Sequence, residues 1–397
     1  MQEESTDKLP RLRLKPPGMK RFHGGHPWVF SNELRDVPDL PPGTPALLDD
    51  PGGSTLCRGY FNPGTLISFR KLTRQGASLP KDWLEQRIAE AAQKREAVYG
   101  GEDCARLVFG EADGLPGLVV DRYGSILVVQ ILTAGMERLR PRIQEALRRL
   151  FDPEAIVAKD DAPVRELEGL PRLVGALPPE WNGKAQVSYL GLEFNLDLLE
   201  AQKTGLFLDQ RENVDAFLRH VKPGEDVLDA FCYLGVWGMS ALKAGARSAE
   251  FVDASARALG SVESQLAANG LPECLLRQGD ALEILGALKR DGRTYGAVIV
   301  DPPAFAKSRK HLPQALKAYR RLNETAMALV KPGGLLVSCS CSYHLDRETF
   351  RNILSAAAVR AGRRGTLLDF RGQAGDHPVL LGFPEGDYLK CALIRLD

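Results

Sequence analysis

Short apolar runs, each followed by a longer stretch with helical spacing, fill the second half of the chain. "DVLDAF" (226–231), "SAEFVDA" (248–254), "YGAVIVD" (295–301) and "GGLLVSCS" (333–340) read as buried strands. Between and after them lie helical patterns near 236–245, 255–269, 312–330 and 346–361. This alternation predicts a parallel sheet with helices on both faces, and such sheets bind ligands at the carboxyl ends of their strands. Candidate chemistry should therefore be sought where these runs end.

The first half has a different rhythm. Up to about residue 75, "HPWVFSNEL", "GTPALLDD" and "CRGYFNPGTLISFRKL" alternate apolar and polar positions between frequent Pro and Gly, which predicts a small barrel or another all-β domain. From about residue 82 the spacing turns helical in "DWLEQRIAEAAQKREAVY", with Asp82 as N-cap and "GG" at 100–101 as the stop. Two strands, "GLVVDRY" and "SILVVQIL", come next around a turn at "GS". A helix near 137–150 and a strand at "AIVAKD" complete a module that ends near 185, after the turn-rich "GALPPEWNGK". No catalytic constellation is visible in it.

A chain of 397 residues, 44% hydrophobic and 26% charged, can bury a sizeable core and is long enough for two or three domains. Lys and Arg total 52 against 51 Asp and Glu, so any polyanion-binding surface must come from local clustering rather than net charge. The polar start "MQEESTDKLPRLRLKPPG" does not resemble an export signal, and no apolar stretch reaches the roughly 18 residues a membrane span needs. Seven scattered cysteines, an odd number in a chain of this size, point to a reduced, cytoplasmic setting.

Two basic clusters stand out. Between Lys8 and Asn32 there are Lys8, Arg11, Arg13, Lys15, Lys20, Arg21, His23 and His26 with no acid, and Phe22 and Trp28 lie among them. That mixture fits phosphate contact with base stacking, or simply a solvated basic edge. From Pro302 to Asn323 there are Lys307, Arg309, Lys310, Lys317, Arg320 and Arg321, again without an acid. This second cluster adjoins the strand ends, which favours a nucleic-acid substrate over a small metabolite.

"VLDAFCYLGVWG" runs from strand into turn into helix. Asp229 ends the strand, and Gly235 and Gly238 let the backbone pass close to a ligand. The crowded glycines of a dinucleotide fingerprint are missing. Asp253, 24 residues further on, closes the next strand where an acid would accept ribose hydroxyls, and Asp280 in "QGDA" comes after a third strand. A loop and two acids in that order suit a nucleoside without phosphates, as in S-adenosylmethionine; the bland alternative is that these acids cap helices. In "VIVDPPAFAKS", Asp301 ends the fourth strand and paired prolines stiffen the loop beyond it, a way to grip a planar base by its edge.

The fifth strand runs into "SCSCSYH". In extended backbone Cys339 and Cys341 face one side, so both thiols are expected at one cavity beside Asp301. Methylation of a pyrimidine ring carbon needs such a thiolate: addition to C6 makes C5 nucleophilic, and an acid at the N3 edge stabilises the adduct. Against this, a free cysteine is a common core residue, the more so for Cys339 in the strand body. Zinc would need four ligands, and C-x-C with His344 supplies at most three. No metal is expected.

These residues resemble bacterial class I S-adenosylmethionine-dependent ribosomal RNA large-subunit methyltransferases, the cytosine-C5 enzymes with an N-terminal PUA domain. "GHPWVF", "FGEADGLPGLVVDRYG", "QKTGLFLDQREN", "VLDAFCYLGVWG", "DPPAFAKS", "SCSYH" and "DHPVLLGFPEGDYLK" carry the resemblance across almost the whole chain. It implies a PUA-like β-barrel over 1–75, a central α+β module over 76–187 and a Rossmann-like methyltransferase domain over 188–397. It also implies Cys341 as nucleophile and Asp301 as base-edge acid. Asp229, Phe231, Gly235, Asp253, Asp280 and Asp301 would form the cofactor shell, with Lys203, Asp209 and Arg211 at its mouth. Lys15, Lys20, Arg21, Lys307, Arg309 and Lys310 would hold RNA. A single cysteine is expected at strand five, so the extra Cys339 departs from the pattern. His377 in "GDHPVL" is assigned no chemistry. Methylation of a guanine or adenine nitrogen, with incidental thiols, and a non-catalytic RNA-binding assembly factor are the competing readings. A homodimer is compatible with the sequence.

Overall fold

The computed structural model describes residues 8–76, 78–306 and 308–397 of the chain. Two compact units result. One holds the described residues up to Tyr189 with Asn195–Leu208 and Gly375–Gly386; the other holds Leu190–Phe194, Asp209–Ala374 and Asp387–Asp397. Among the described residues no helix is long and apolar enough to cross a membrane.

The first unit begins with a six-stranded sheet in the order Trp28–Phe30, Ile67–Lys71, Thr55–Phe61, Thr44–Asp49, Arg11–Leu14, Leu34–Arg35. "RLRL" shows how a period of two builds it. Arg11 and Arg13 face out while Leu12 and Leu14 enter a core with Val29, Leu48, Phe61 and Phe69. One element departs from the sequence expectation: Pro16–His23 is a helix, because prolines in a first helical turn give up no needed N–H. That helix alters the first basic cluster. It turns Phe22 into the barrel core, so Phe22 offers no stacking face, and it brings Arg21 into an ion pair with Glu33. Trp28 is engaged as well, donating Nε1–H to Glu111 at 2.7 Å and packing edge-to-face on Phe383.

A second sheet lies in the same unit, ordered Leu173–Leu177, Ala155–Asp160, Ile126–Ile131, Leu118–Tyr123, Cys104–Phe109. The helices Trp83–Tyr99 and Arg140–Phe151 close over it through Leu84, Ile88, Ile143 and Leu147. Asp82 does occupy the N-cap position, but its carboxylate accepts from the Gln86 amide at 2.6 Å rather than capping the helix.

In the second unit the strands are β1 (Asp226–Ala230), β2 (Ser248–Asp253), β3 (Leu275–Gln278), β4 (Tyr295–Val300), β5 (Val330–Ser340), β6 (Gly365–Arg371) and β7 (Lys390–Leu396). The helices are α1 (Arg211–Leu218), α2 (Val236–Lys243), α3 (Ala256–Ala268), α4 (Ala281–Arg290), α5 (Leu312–Leu329) and α6 (Arg347–Arg360). Among the described residues they form one sheet in the order β3-β2-β1-β4-β5-β7-β6. The strand runs seen in the sequence supply its parallel half. The sheet is nevertheless mixed, because β7 enters antiparallel between β5 and β6. Strand order reverses between β1 and β4, whose carboxyl ends form the crevice where doubly wound sheets take ligands.

Close packing fixes the turn after β1. A Cβ on Gly238 would lie 2.4 Å from Cε1 of Phe251, a fully buried ring on β2. Gly238→Ala is therefore expected to cost about 1–3 kcal/mol of stability, read from chemical denaturation, because the overpacked ring cannot yield without moving the sheet.

Candidate active site

Asp229 lies one residue before the end of β1 and is fully buried. Its Oδ2 accepts the Gly238 N–H at 2.9 Å, while Oδ1 has no hydrogen-bond partner among the described residues. Burial pushes its carboxyl up to about 8; the Gly238 N–H opposes the rise, and the nearby Asp301 and Asp253 carboxylates add to it. A buried acceptor with an open lone pair is costly unless a donor reaches it, and a cationic donor suits it best.

The turn after β1 is held in uncommon backbone. Phe231 (φ 64°), Tyr233 (φ 49°) and Gly235 (φ 74°) are left-handed, which costs a side-chain-bearing residue roughly 1–3 kcal/mol. Backbone bonds from Phe231 and Cys232 N–H to Val252 O, at 2.8 and 3.1 Å, over-determine the loop. Asp253 completes it, accepting Tyr233 N–H on Oδ2 at 3.0 Å and Ser255 N–H on Oδ1 at 2.9 Å. The loop and two acids converge. Asp280, by contrast, is exposed and caps α4, accepting Glu283 N–H at 3.0 Å, as the bland reading expected.

Asp301 comes directly after β4. Its Oδ2 accepts from the Gln210 amide at 2.9 Å, and Gln210 Oε1 in turn accepts from Asn213 Nδ2 at 2.6 Å. Gln210 is buried, and this relay sets the carboxylate's direction. Gln210 is not among the expected site residues, although it stands between Asp209 and Arg211 in "LDQREN". Those neighbours are themselves buried: Asp209 accepts the Tyr388 hydroxyl at 2.6 Å, and Arg211 is 4% exposed. Lys203 belongs to the first unit, exposed, with Nζ 4.6 Å from the Phe207 ring centre.

The two thiols part company, contrary to the expectation of one shared cavity. Cys339 lies within β5, fully buried, paired across the sheet with Cys391. Burial, then Cys391, then Asp301 hold its thiol well above the ordinary range, so it stays protonated. β5 ends at Ser340, and beyond it the strict alternation of faces no longer applies. Cys341 is half-buried there, its Sγ 3.9 Å from the carbonyl oxygen of Pro302 in the loop after Asp301. Ser342 ties that loop to the strand end: its Oγ accepts Ala306 N–H at 3.2 Å and bonds the Tyr319 hydroxyl at 2.9 Å.

Of the basic residues singled out, Arg309 and Lys310 are exposed in a short turn (Arg309–His311) leading into α5, and Lys307 lies outside the described residues. In the first unit Lys20 is exposed, while Lys15 Nζ bonds Asn32 O at 3.0 Å and Arg21 is committed to Glu33. His377 is buried there against Asp376, Nδ1 to Oδ1 2.7 Å, and packs on Phe109. Among the described residues no group of three or more His, Cys, Asp or Glu could hold a metal ion.

The strand order, the cradle after β1 and the acids at adjoining strand ends define an S-adenosylmethionine-dependent methyltransferase. Residues 178–358 match the family described in those words, and residues 12–74 match the PUA-like domain. The chain is 36% identical over 393 residues to ribosomal RNA large subunit methyltransferase I of Shewanella amazonensis, covering 97% of this chain and 99% of that protein. It is 35% identical over 379 residues to the protein of the same name from Photobacterium profundum, covering 94% and 95%. The chain belongs to this methyltransferase family. The crystal structure of SMU.776 complexed with SAH shares the fold, at TM-score 0.84 and 20% identity over 98% of this chain and 100% of that one. A second structure, from Streptococcus mutans, superposes at 0.82 with 19% identity over the same shares. The residues present suit the cofactor, since the open Oδ1 of Asp229 is the acceptor that its ammonium group would satisfy.

Proposed function

We propose that this protein methylates C5 of a cytosine in large-subunit ribosomal RNA, with Cys341 as the nucleophile. The name its relatives carry supports the RNA substrate. The observation that carries the ring-carbon chemistry is the half-buried thiol of Cys341, 3.9 Å from the Pro302 carbonyl in the loop that begins at Asp301.

Asp229, Phe231, Gly235 and Asp253 would hold S-adenosylmethionine, which when bound supplies an electrophilic methyl carbon, while Asp280 stays engaged at the cap of α4. The chain's own residues prepare the acceptor. The Cys341 thiolate adds to C6 of a cytosine flipped from its stack, and the electron pair pushed out of the C5–C6 double bond makes C5 a nucleophile. A carboxyl proton from Asp301 to N3 neutralises the charge that the addition sends there, and Gln210 fixes the direction of that carboxyl. Once C5 carries the methyl group, N3 returns its proton to the Asp301 carboxylate, and loss of the C5 proton to water restores the C5–C6 double bond and expels the thiolate. Asp209 and Arg211 would lie at the mouth of the cofactor site. Lys15, Lys20, Arg309, Lys310 and Lys307 would meet phosphates; Arg21 contributes less than its position in the sequence promised, being paired with Glu33. In this reading 1–75 and the loop after Asp301 hold the RNA, 76–187 is the central module, and 188–397 performs the transfer.

RNA carrying 5-fluorocytosine at the target tests this, because fluorine in place of the C5 proton blocks the final elimination. The wild-type and Cys339→Ala proteins should each form a covalent adduct, seen as a mass shift, and Cys341→Ala should form none. An adduct that persists in Cys341→Ala, or is lost in Cys339→Ala while that variant remains folded, overturns the assignment. Turnover unimpaired in the double alanine variant would identify a nitrogen methyltransferase instead.

A further inference from the structure

We infer that Lys390 activates Cys341: its amine takes the thiol proton, leaving a thiolate beside an ammonium. The inference rests on the reading of Cys341 as nucleophile and supplies the base that reading lacks. The exchange balances, with the S–H bond broken, an N–H bond formed and no other reactant needed.

Lys390 opens β7 and pairs across the sheet with Ser340, the residue before Cys341. Its Nζ donates to Ser342 O and to Tyr388 O, both at 2.7 Å, so the amine sits against the residue just after Cys341. Only 1% of Lys390 is exposed, and among the described residues it has no carboxylate ion-pair partner. A lysine is almost never buried so fully without a charge partner.

The charged groups around it leave one candidate. Asp387 and Arg347 face the amine but pair with each other at 3.2 Å, so their effects largely cancel. Asp346 faces it from the start of α6, where its carboxylate is occupied with Thr349 N–H and hydroxyl. From α5, the Tyr319 hydroxyl faces Cys341 and remains a neutral donor, its own ionisation raised by burial. Asp301, at the head of the neighbouring loop, is engaged by Gln210. Burial pushes the Lys390 ammonium down to about 8, and the sulfur of Cys341 is the strongest charge opposing that fall. An ordinary thiol titrates near about 8.5, so an amine brought down to about 8 is matched to such a proton.

Lys390 is accordingly a positioning residue, acting through Cys341, and a purely structural lysine would leave the thiol's titration unmoved. The test is the pH dependence of Cys341 alkylation by iodoacetamide in the full-length, RNA-free protein, monitored by peptide mass spectrometry. In the wild type the midpoint should lie below that of an ordinary thiol. Lys390→Met should raise it by about one pH unit or more, slowing alkylation at neutral pH about tenfold, whereas Lys390→Arg, which keeps a cation, should hold it low. A wild-type midpoint at the ordinary value overturns the inference even if Lys390→Met fails to fold. Midpoints unchanged in both folded variants also overturn it. Because no RNA is present, this outcome is separable from a failure of the nucleophile assignment, which the fluorocytosine adduct reports.

Discussion

Cys341→Ala should lower methyl transfer on the order of 10⁴-fold or more, the scale seen when a covalent nucleophile is removed. Among the described residues, no other nucleophile near the strand end is placed to replace it. Cys339 is fully buried against Cys391 and held protonated, and the hydroxyls of Ser342 and Tyr319 are spent on each other. Stability should change little, by roughly 0.5 kcal/mol or less, because Cys341 is half-buried and lies beyond the strand. The converse variant separates packing from chemistry. Cys339→Ala opens space in the core and should cost about 1–2 kcal/mol, while transfer per folded molecule is retained. Transfer of a labelled methyl group to RNA and thermal melts of both variants check the pair; comparable turnover in Cys341→Ala would remove the ring-carbon mechanism.

Asp229→Asn should weaken S-adenosylmethionine binding roughly 100-fold or more, the cost of taking one partner from a buried charge pair being about 3 kcal/mol or above. The amide keeps the shape, and its oxygen can still accept the Gly238 N–H, so the loss reports charge rather than collapse. Burial sets the sign of the pH effect. The carboxyl of Asp229 is pushed up to about 8 in the ligand-free protein, whereas a bound ammonium requires the carboxylate. Affinity should therefore rise about tenfold from about pH 6 to about pH 7, with proton release on binding, and Asp229→Asn should abolish that slope. Stability runs the other way. The folded carboxyl keeps a proton that the unfolded chain releases near about pH 4, so the stability from this group is present in acid and is lost as pH rises toward about 8. The ligand-free variant should melt higher than the wild type at pH 8. Calorimetry at several pH values decides, and flat wild-type affinity across that window would contradict the assignment of Asp229.

The parallel half of the catalytic sheet was legible because strands buried on both faces leave apolar runs between turns, as "YGAVIVD" and "SAEFVDA" do. Its acids were legible because a strand end is marked by where such a run stops. Helix α4, directly after Asp280, is masked in the sequence by Gly286 in its interior, a weak helix former. The edge strand β6 escaped notice too: Gly365 to Leu368 are exposed, so no apolar face marks them. The helix Pro16–His23 was hidden by its own prolines, which read as a turn until their place in the first helical turn is known.

By itself the sequence determined the periodicities, and with them a barrel-like start, a parallel α/β core, the acids at its strand ends and a cysteine beyond the fifth. Local pattern suffices for these because each depends on neighbours within a few residues. Only the tertiary structure decided which thiol lies outside the core, that Gln210 aims Asp301, that Arg21 is spent on Glu33, and that Lys390 reaches the chain beside Cys341. Those facts join residues up to about a hundred positions apart, and the antiparallel insertion of β7 between β5 and β6 sets one of them. No spacing along the chain encodes a register formed across a sheet.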